Sequence, residues 1–238
     1  MVYVDIVIPV LNEQVALPIC IEKLQDYISS NIRETCNIII ADNGSDDDTP
    51  NISRKLTSKY KNLSYIRIPE RGRGLALKTV WGKSEADIVC YMDVDLSTDL
   101  KSLPSLINNL VSDYDIAIGS RLSKGSKVID RSFQRGLTSR GYNMLLKLIF
   151  FNKFHDAQCG FKGLRTTVAK KLLPLIKDNK WFFDTELLLI AEKSNYRIIN
   201  IPVSWKDDKD SRVNVVKTII QDLKGMFRLR FLGIEKVN

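Results

Sequence analysis

The chain has 238 residues but only one histidine, His155, and four scattered cysteines, Cys20, Cys36, Cys90 and Cys159. No Cys-x-x-Cys spacing occurs. A zinc cluster or a disulfide framework is therefore not the organising principle, and a reducing, cytosolic setting fits the free thiols. No apolar run approaches the ~18 residues needed to cross a bilayer. The longest candidate, Met144 to Phe151, is short and carries Lys147. Met1 to Asp5 leads into a strand pattern without a basic leader segment, which argues against a secretory signal. Helix-turn-helix, zinc-finger and RNA-binding signatures are missing, and the aromatic residues of the basic half sit in apolar runs, so nucleic acid is excluded as the expected partner. Internal repeats and low-complexity tracts are absent too.

What remains is ordinary soluble composition, 44% hydrophobic and 27% charged, at a length that suits one large α/β domain, alone or with a small appendage. The net charge of +8 is unevenly distributed. Residues 1–120 carry 12 Lys/Arg against 17 Asp/Glu, whereas residues 121–238 carry 24 against 11. An acidic half able to hold a cation precedes a basic half able to face phosphates or an anionic membrane.

Apolar, β-branched runs at Asp5–Val10, Cys36–Ala41, Leu63–Ile68 and Ala86–Met92 predict strands. Helical spacing places Leu17, Ile21, Leu24 and Ile28 on one face, and Thr49-Pro50 opens a second helix. Gly72-Arg73-Gly74 opens a third over Leu75–Lys83. This alternation predicts a parallel sheet with helices on both faces. Beyond Leu100 further helices are expected at Leu103–Val111, Leu137–Phe154, Trp181–Glu192 and Val213–Ile234, with strands at Ile116–Arg121 and Ile198–Val203. Residues 122–135 read as a basic loop.

Ligands of open parallel sheets bind beyond the carboxyl ends of the strands. Pro9 to Glu13, Asp42 to Asp46 and Asp93 to Asp95 all fall there. Asp93-Val94-Asp95 offers two hard oxygen ligands, suited to Mg²⁺ or Mn²⁺ when substrate phosphates complete the coordination. Such an ion would neutralise a departing nucleoside diphosphate. Asp99 reads as a helix cap or a further ligand. Asp42 is a turn residue or an acceptor for a base N–H, and Glu13 is a cap or a ribose and base contact. His155 reads as a structural, hydrogen-bonded residue.

Four segments taken together, Ile8-Pro9-Val10-Leu11-Asn12-Glu13, Asp42-Asn43-Gly44-Ser45-Asp46-Asp47, Arg73-Gly74-Leu75-Ala76 and Asp93-Val94-Asp95, resemble the family 2 glycosyltransferases of the GT-A fold. Asp156-Ala157-Gln158-Cys159-Gly160-Phe161-Lys162 and Trp181 to Leu188 are more particularly similar to dolichyl-phosphate β-glucosyltransferases, with dolichyl-phosphate mannose synthases close behind. The resemblance covers nearly the whole chain and implies an α/β fold with a mainly parallel central sheet flanked by helices. It assigns 1–212 to a catalytic domain, with 1–120 its nucleotide- and metal-binding half and 121–212 its acceptor-binding half. Residues 213–238 then form an amphipathic C-terminal helix and tail.

By the same resemblance, Pro9, Leu11, Glu13, Asp42, Asp46, Arg73 and Asp93 bind the nucleotide, and Asp93 and Asp95 bind the metal. Asp95 and Arg121 would be catalytic. Arg121, Arg131, Arg135 and Arg212 would meet the acceptor phosphate, since guanidinium groups grip phosphate bidentately. Asp184 and Glu186 are candidates for sugar or acceptor contacts. The implied reaction moves one sugar, glucose from UDP-glucose, onto dolichyl or polyprenyl phosphate with inversion. Alternatives are GDP-mannose as donor, a saccharide hydroxyl as acceptor, or a non-catalytic nucleotide-binding domain.

Two departures stand out. Many relatives carry transmembrane helices, and Arg73 stands where lysine is usual. Peripheral attachment at the cytoplasmic face of a membrane is the corresponding expectation, directly or through a membrane partner protein. Val216, Ile219, Ile220, Leu223, Phe227 and Phe231 fall on one helical face, among Lys217, Lys224, Arg228 and Arg230, as in helices that lie in the headgroup region.

Overall fold

The computed structural model describes residues 1–130, 133–206 and 215–237, with side chains described from residues 136 and 218 onward in the two helices that open at those breaks. The elements in chain order are β1 (Tyr3–Val10), α1 (Ala16–Asn31), β2 (Thr35–Asp42), α2 (Thr49–Lys59), β3 (Leu63–Arg67), α3 (Arg73–Lys83), β4 (Ile88–Met92), α4 (Leu103–Ser112), β5 (Ile116–Ser120), β6 (Lys127–Ile129), α5 (Phe133–Phe150), β7 (Phe161–Arg165), α6 (Thr166–Leu172), α7 (Phe183–Lys193), β8 (Ile198–Pro202), β9 (Ser204–Lys206) and α8 (Val215–Leu232).

Seven strands form one sheet in the order β3-β2-β1-β4-β7-β5-β8. All neighbours are parallel except β7, which runs antiparallel between β4 and β5. The sheet is thus mainly parallel, as expected, with β7 its antiparallel member. The chain first winds outward from β1 to β3, then returns to the other side of β1 with β4. That reversal opens a crevice beyond the carboxyl ends of β1 and β4. A small parallel pair, β6 with β9, closes one flank of this rim. Asp99 N–H donates to the Ser204 carbonyl at 2.9 Å, and Lys206 N–H to that of Ser97 at 2.8 Å.

Two buried clusters sandwich the sheet. On one face, Val4, Ile6, Ile8 and Val10 meet Leu17, Ile21, Leu24 and Ile28 of α1, so the helical stripe predicted for α1 is the one that packs. Each such side chain contributes about 1.5–3 kcal/mol on full burial. On the other face, Val7, Ile39, Val89 and Tyr91 meet α3, α6 and α7. Every residue of α7 from Phe183 to Ala191 is buried, as befits a helix enclosed on all sides.

α8 packs through its more polar side. Asp222, Gly225, Met226 and Leu229 face inward, while Ile219, Ile220, Leu223, Phe227 and Phe231 are turned out. Gly225 presses on the Phe182 ring so closely that a Cβ there would overlap it. Asp222 is 3% exposed. Gln158 Nε2 donates to Asp222 Oδ2 at 2.7 Å, and Asp222 Oδ1 has no hydrogen-bond partner among the described residues.

Burial pushes the Asp222 carboxyl up to about 7; the Gln158 bond works against this rise, and Asp178 and Asp184 add to it. A carboxyl raised on folding stays protonated in the folded state above the pH at which the unfolded chain loses its proton. Its contribution to stability is present below the unfolded value, near 4, and is lost as pH rises through about 7. Asp222→Asn, which removes the buried charge, is expected to stabilise the protein at pH 8 and to lose that advantage at pH 4. Denaturant titrations of both proteins at the two pH values check this; an equal difference at both would refute it.

Candidate active site

The rim of the crevice is built by stitching the first two strand-to-helix loops together. Asn12, in the left-handed region at φ 59°, donates its backbone N–H to Ser45 Oγ at 2.9 Å and accepts the Asp46 N–H at 2.8 Å. Glu13 N–H reaches Thr49 Oγ1 at 2.9 Å. Pro9 and Leu11 flank this loop at the end of β1. Asp42 is fully buried: Oδ1 accepts the Ser45 N–H at 2.9 Å, Oδ2 accepts Tyr65 O–H at 2.7 Å, and Arg67 lies 3.6 Å away. Both oxygens hold the loop in shape, so Asp42 acts on the rim from within. Asp46 is exposed and pairs with Arg71.

Asn43 Oδ1 accepts the Gly72 N–H at 2.8 Å, which fixes the start of α3 and hence Arg73. The Arg73 side chain is 11% exposed. Its Nη2 lies 2.9 Å from Tyr91 Oη and 3.2 Å from Asp93 Oδ1, and its Nη1 lies 3.3 Å from Asp184 Oδ2. The guanidinium carbon is 4.9 Å from the ring centres of both Tyr91 and Trp181. Burial works against this cation, but Tyr91, Asp93 and Asp184 outweigh it and raise its pKa.

Lys162, fully buried on β7, completes the cluster. Its Nζ sits 2.8 Å from Asp184 Oδ1, 2.7 Å from the Cys159 carbonyl and 3.2 Å from Tyr91 Oη. Burial pushes the Asp184 carboxyl up, yet Lys162 and then Arg73 pull it below the ordinary carboxylate value. Asp184 is therefore an ionised counter-charge beneath the crevice and not an exposed sugar contact. Lys162 and Tyr91 carry this cluster without having been singled out from the sequence. Lys162 had one signal, its place at the end of the family-like segment Asp156–Lys162.

Asp93 lies one residue past β4, and its carboxylate packs directly on the Cα of Gly160, where a side chain would collide with it. Desolvation raises its pKa, Arg73 opposes the rise, and Asp95 and Asp184 reinforce it. Asp95 is exposed, and its oxygens accept Ser97 N–H at 2.9 Å and Ser97 O–H at 2.7 Å. The Leu96 N–H donates to the Asp93 carbonyl at 3.2 Å, closing a turn across Asp93–Leu96 that supplies the bend a pair of alternate carboxylates needs; Leu96 itself leaves the turn at φ 52°, at a cost of about 1 kcal/mol or more. Among the described residues no group of three or more His, Cys, Asp and Glu side chains could hold a metal. Two loop carboxylates do suit a hard divalent ion whose other ligands are phosphate and water. Asp99 caps the turn after the rim, with Oδ1 accepting the Lys101 N–H at 3.0 Å.

Arg121 departs from expectation. Its Nε and Nη2 bind the two oxygens of Asp156 at 2.7 and 2.8 Å, and its backbone N–H adds a third bond at 3.0 Å. The fork expected to grip an acceptor phosphate is thus occupied by a buried carboxylate. Burial raises the Asp156 pKa, but Arg121 reverses this and leaves it low. Glu186 is likewise engaged, by Arg228 at 2.7 and 2.9 Å. His155 Nδ1 lies 3.0 Å from Ser123 Oγ, in keeping with a structural role. Arg131 and Arg212 lie outside the described residues; Arg135 lies on α5, but its side chain is outside the description.

The sequence is 33% identical over 225 residues to glycosyltransferase AglD of Haloferax volcanii; the match covers 92% of this chain but 35% of that protein. It is 28% identical to the dolichyl-phosphate beta-glucosyltransferase of Dictyostelium discoideum, over 99% of this chain and 77% of that one. The human protein of the same name is 29% identical over 96% and 75%. In three dimensions the chain is similar to glucosyl-3-phosphoglycerate synthase from Mycobacterium tuberculosis, solved with Mn²⁺, UDP and glucosyl-3-phosphoglycerate. The TM-score is 0.70, at 17% identity, over 98% of this chain and 81% of that one, a likeness of fold. The family model described as glycosyl transferase family 2 matches residues 5–173, from the first strand through the crevice and β7, and this chain belongs to that family.

Proposed function

We propose that this chain transfers glucose from UDP-glucose to a polyprenyl or dolichyl phosphate, with inversion at the anomeric carbon. The observation that carries this reading is the rim at the carboxyl ends of β1 and β4, where the partly exposed Asp93 and the exposed Asp95 stand next to the buried Arg73–Asp184–Lys162 cluster. The dolichyl-phosphate beta-glucosyltransferases among its relatives support the choice of donor and acceptor.

Asp93 and Asp95 would hold Mg²⁺ or Mn²⁺, and the bound ion supplies Lewis-acid neutralisation of the diphosphate. The loops at Pro9–Glu13 and Asp42–Asp46 seat the nucleotide. The acceptor phosphate is already an anion, so its oxygen attacks the anomeric carbon without a general base. The bond from that carbon to the diphosphate breaks, and no proton is transferred. The chain's task is positioning and charge compensation, with Arg73 held rigidly beside Asp93. A saccharide-hydroxyl acceptor would instead require a carboxylate base.

The outward face of α8 supports engagement of a membrane surface. Leu223 is 48% exposed and Phe227 65%, and the Phe227 and Phe231 rings lie 4.3 Å apart. Leu137, Met144 and Leu148 form a second exposed stripe on α5, which packs on α8. Lys147, Lys224 and Arg230 accompany the two stripes, and each basic residue near anionic lipid is worth about 1 kcal/mol. No helix among the described residues is long and apolar enough to cross a membrane. The attachment proposed is peripheral, at the cytoplasmic face.

Incubation with a short polyprenyl phosphate and a panel of nucleotide sugars, with and without divalent metal, is expected to yield a lipid-phosphate glucose from UDP-glucose only when metal is present. Asp95→Asn should lower turnover by about 10²–10³-fold. Transfer from GDP-mannose instead would change the donor assignment, absence of any lipid-linked sugar would remove the reading, and full activity of Asp95→Asn would remove the metal role. In a vesicle flotation assay with anionic lipid, the wild-type chain should co-float at low salt, and Leu223→Gln/Phe227→Gln should remain at the bottom. No flotation of wild type at low or moderate salt would eliminate the membrane contact and leave a protein partner as the cover for that face.

A further inference from the structure

Three successive contacts join α8 to the arginine at the floor of the crevice. Arg228 of α8 forks onto Glu186 of α7, Nη1 to Oε1 at 2.7 Å and Nη2 to Oε2 at 2.9 Å. Oε2 of Glu186 also accepts the Asp178 N–H at 2.8 Å. Asp178 begins a short segment whose next two carbonyls cap α3: Asn179 O accepts the Leu75 N–H at 2.9 Å, and Lys180 O accepts the Gly74 N–H at 3.3 Å. Arg73 lies immediately before those two donors.

The packing leaves no slack in this path. A Cβ on Gly72 would run into the Asn179 carbonyl, and one on Gly74 would run into Phe183 of α7. The backbone on both sides of Arg73 therefore rests on the 179–183 stretch. Glu186 is 1% exposed, and both of its oxygens are engaged. It has no free oxygen to offer a sugar. A buried carboxylate deprived of its cation is poorly tolerated, so the position of Glu186 depends on Arg228 remaining seated.

We propose that Glu186 is a positioning residue, which converts the docking of α8 into the placement of Arg73 beside Asp93. The proposal rests on the reading above that the Arg73–Asp93 crevice receives the donor diphosphate. It adds that α8, whose outer face is free for a membrane, is mechanically part of the donor site. A helix that lifted or slid would release Glu186, loosen the 178–180 segment and misplace the guanidinium.

The test measures UDP affinity in the presence of Mn²⁺ by calorimetry, together with KM for the donor and kcat, for the full chain and its variants. Arg228→Met is expected to weaken UDP binding roughly tenfold and to raise KM, with Arg228→Lys intermediate because it keeps a single ion pair. Glu186→Gln/Arg228→Met leaves no unpaired charge and keeps an acceptor for the Asp178 N–H, so it safeguards against a folding defect. Having severed the link to α8, it should match Arg228→Met and not exceed it. A lower melting temperature with unchanged UDP affinity in these variants overturns the proposal, since that is what a purely structural pair would give. Asp93→Asn separates the two levels. If it leaves UDP affinity and turnover intact, the donor-site reading itself falls; if it is crippled while Arg228→Met binds UDP normally, only the relay falls.

Discussion

The site depends on one buried charge, the Asp184 carboxylate. Two cations, Arg73 and Lys162, converge on it from α3 and β7, at 3.3 and 2.8 Å, and Tyr91 donates a hydrogen bond at 2.5 Å. Removing one partner of a buried ion pair typically costs about 3–5 kcal/mol. With Asp184 ionised, both cations are tolerated in the interior, and Arg73 has positive character left to share with Asp93. The four residues come from α3, β4, β7 and α7, so the cluster also locks together elements far apart in the chain. Sheet topology makes the crevice, and this cluster fixes the electrostatics of its floor.

α8 adds a second constraint. A helix that buried its apolar face would be held by Ile219, Ile220, Leu223, Phe227 and Phe231; this one is held instead by Met226, Leu229, a tight glycine contact and the polar pairs of Asp222 and Arg228. Polar groups facing inward give orientation, because a hydrogen bond is lost if the helix rotates, whereas apolar contacts are less particular. The cost is the buried, incompletely satisfied Asp222. The gain is an apolar surface left outside, beside that of α5. Exposed apolar stripes on two packed helices are unusual on a monomeric soluble protein and mark a surface that something else covers.

Much of this was legible in the sequence, for reasons that can be stated. β1, β2 and β4 are short unbroken apolar runs whose polar ends fall on one rim, so the gathering of Glu13, Asp42 and Asp93 follows from alternation of strand and helix. The stripe of α1 packs as spaced. β7 was not legible, because Lys162 and Gly163 interrupt an apolar pattern and the strand enters the sheet antiparallel to its neighbours. Nor was the filling of Arg121: its partner Asp156 is 35 residues away, and periodicity carries no information about pairings at that range. For α8 the spacing gave the helix and its two faces, but not which face would pack. That choice was made by Gln158, Phe182 and Glu186, none of them on the helix.

The arginine at position 73 acquires a reason in this light. Its side chain meets Asp93 and Tyr91 through one nitrogen and Asp184 through another, while its flat carbon centre lies against the rings of Tyr91 and Trp181. A guanidinium has the planar fork and weakly hydrated face for all of these contacts at once. A lysine ammonium is a compact charge; it could approach one carboxylate closely but would leave the second short of its cation. Lys162 already supplies the compact charge on the far side of Asp184. The two cations therefore divide the work: the lysine neutralises from below, and the arginine bridges from the interior to the rim, carrying the rigidity of the buried cluster out to Asp93.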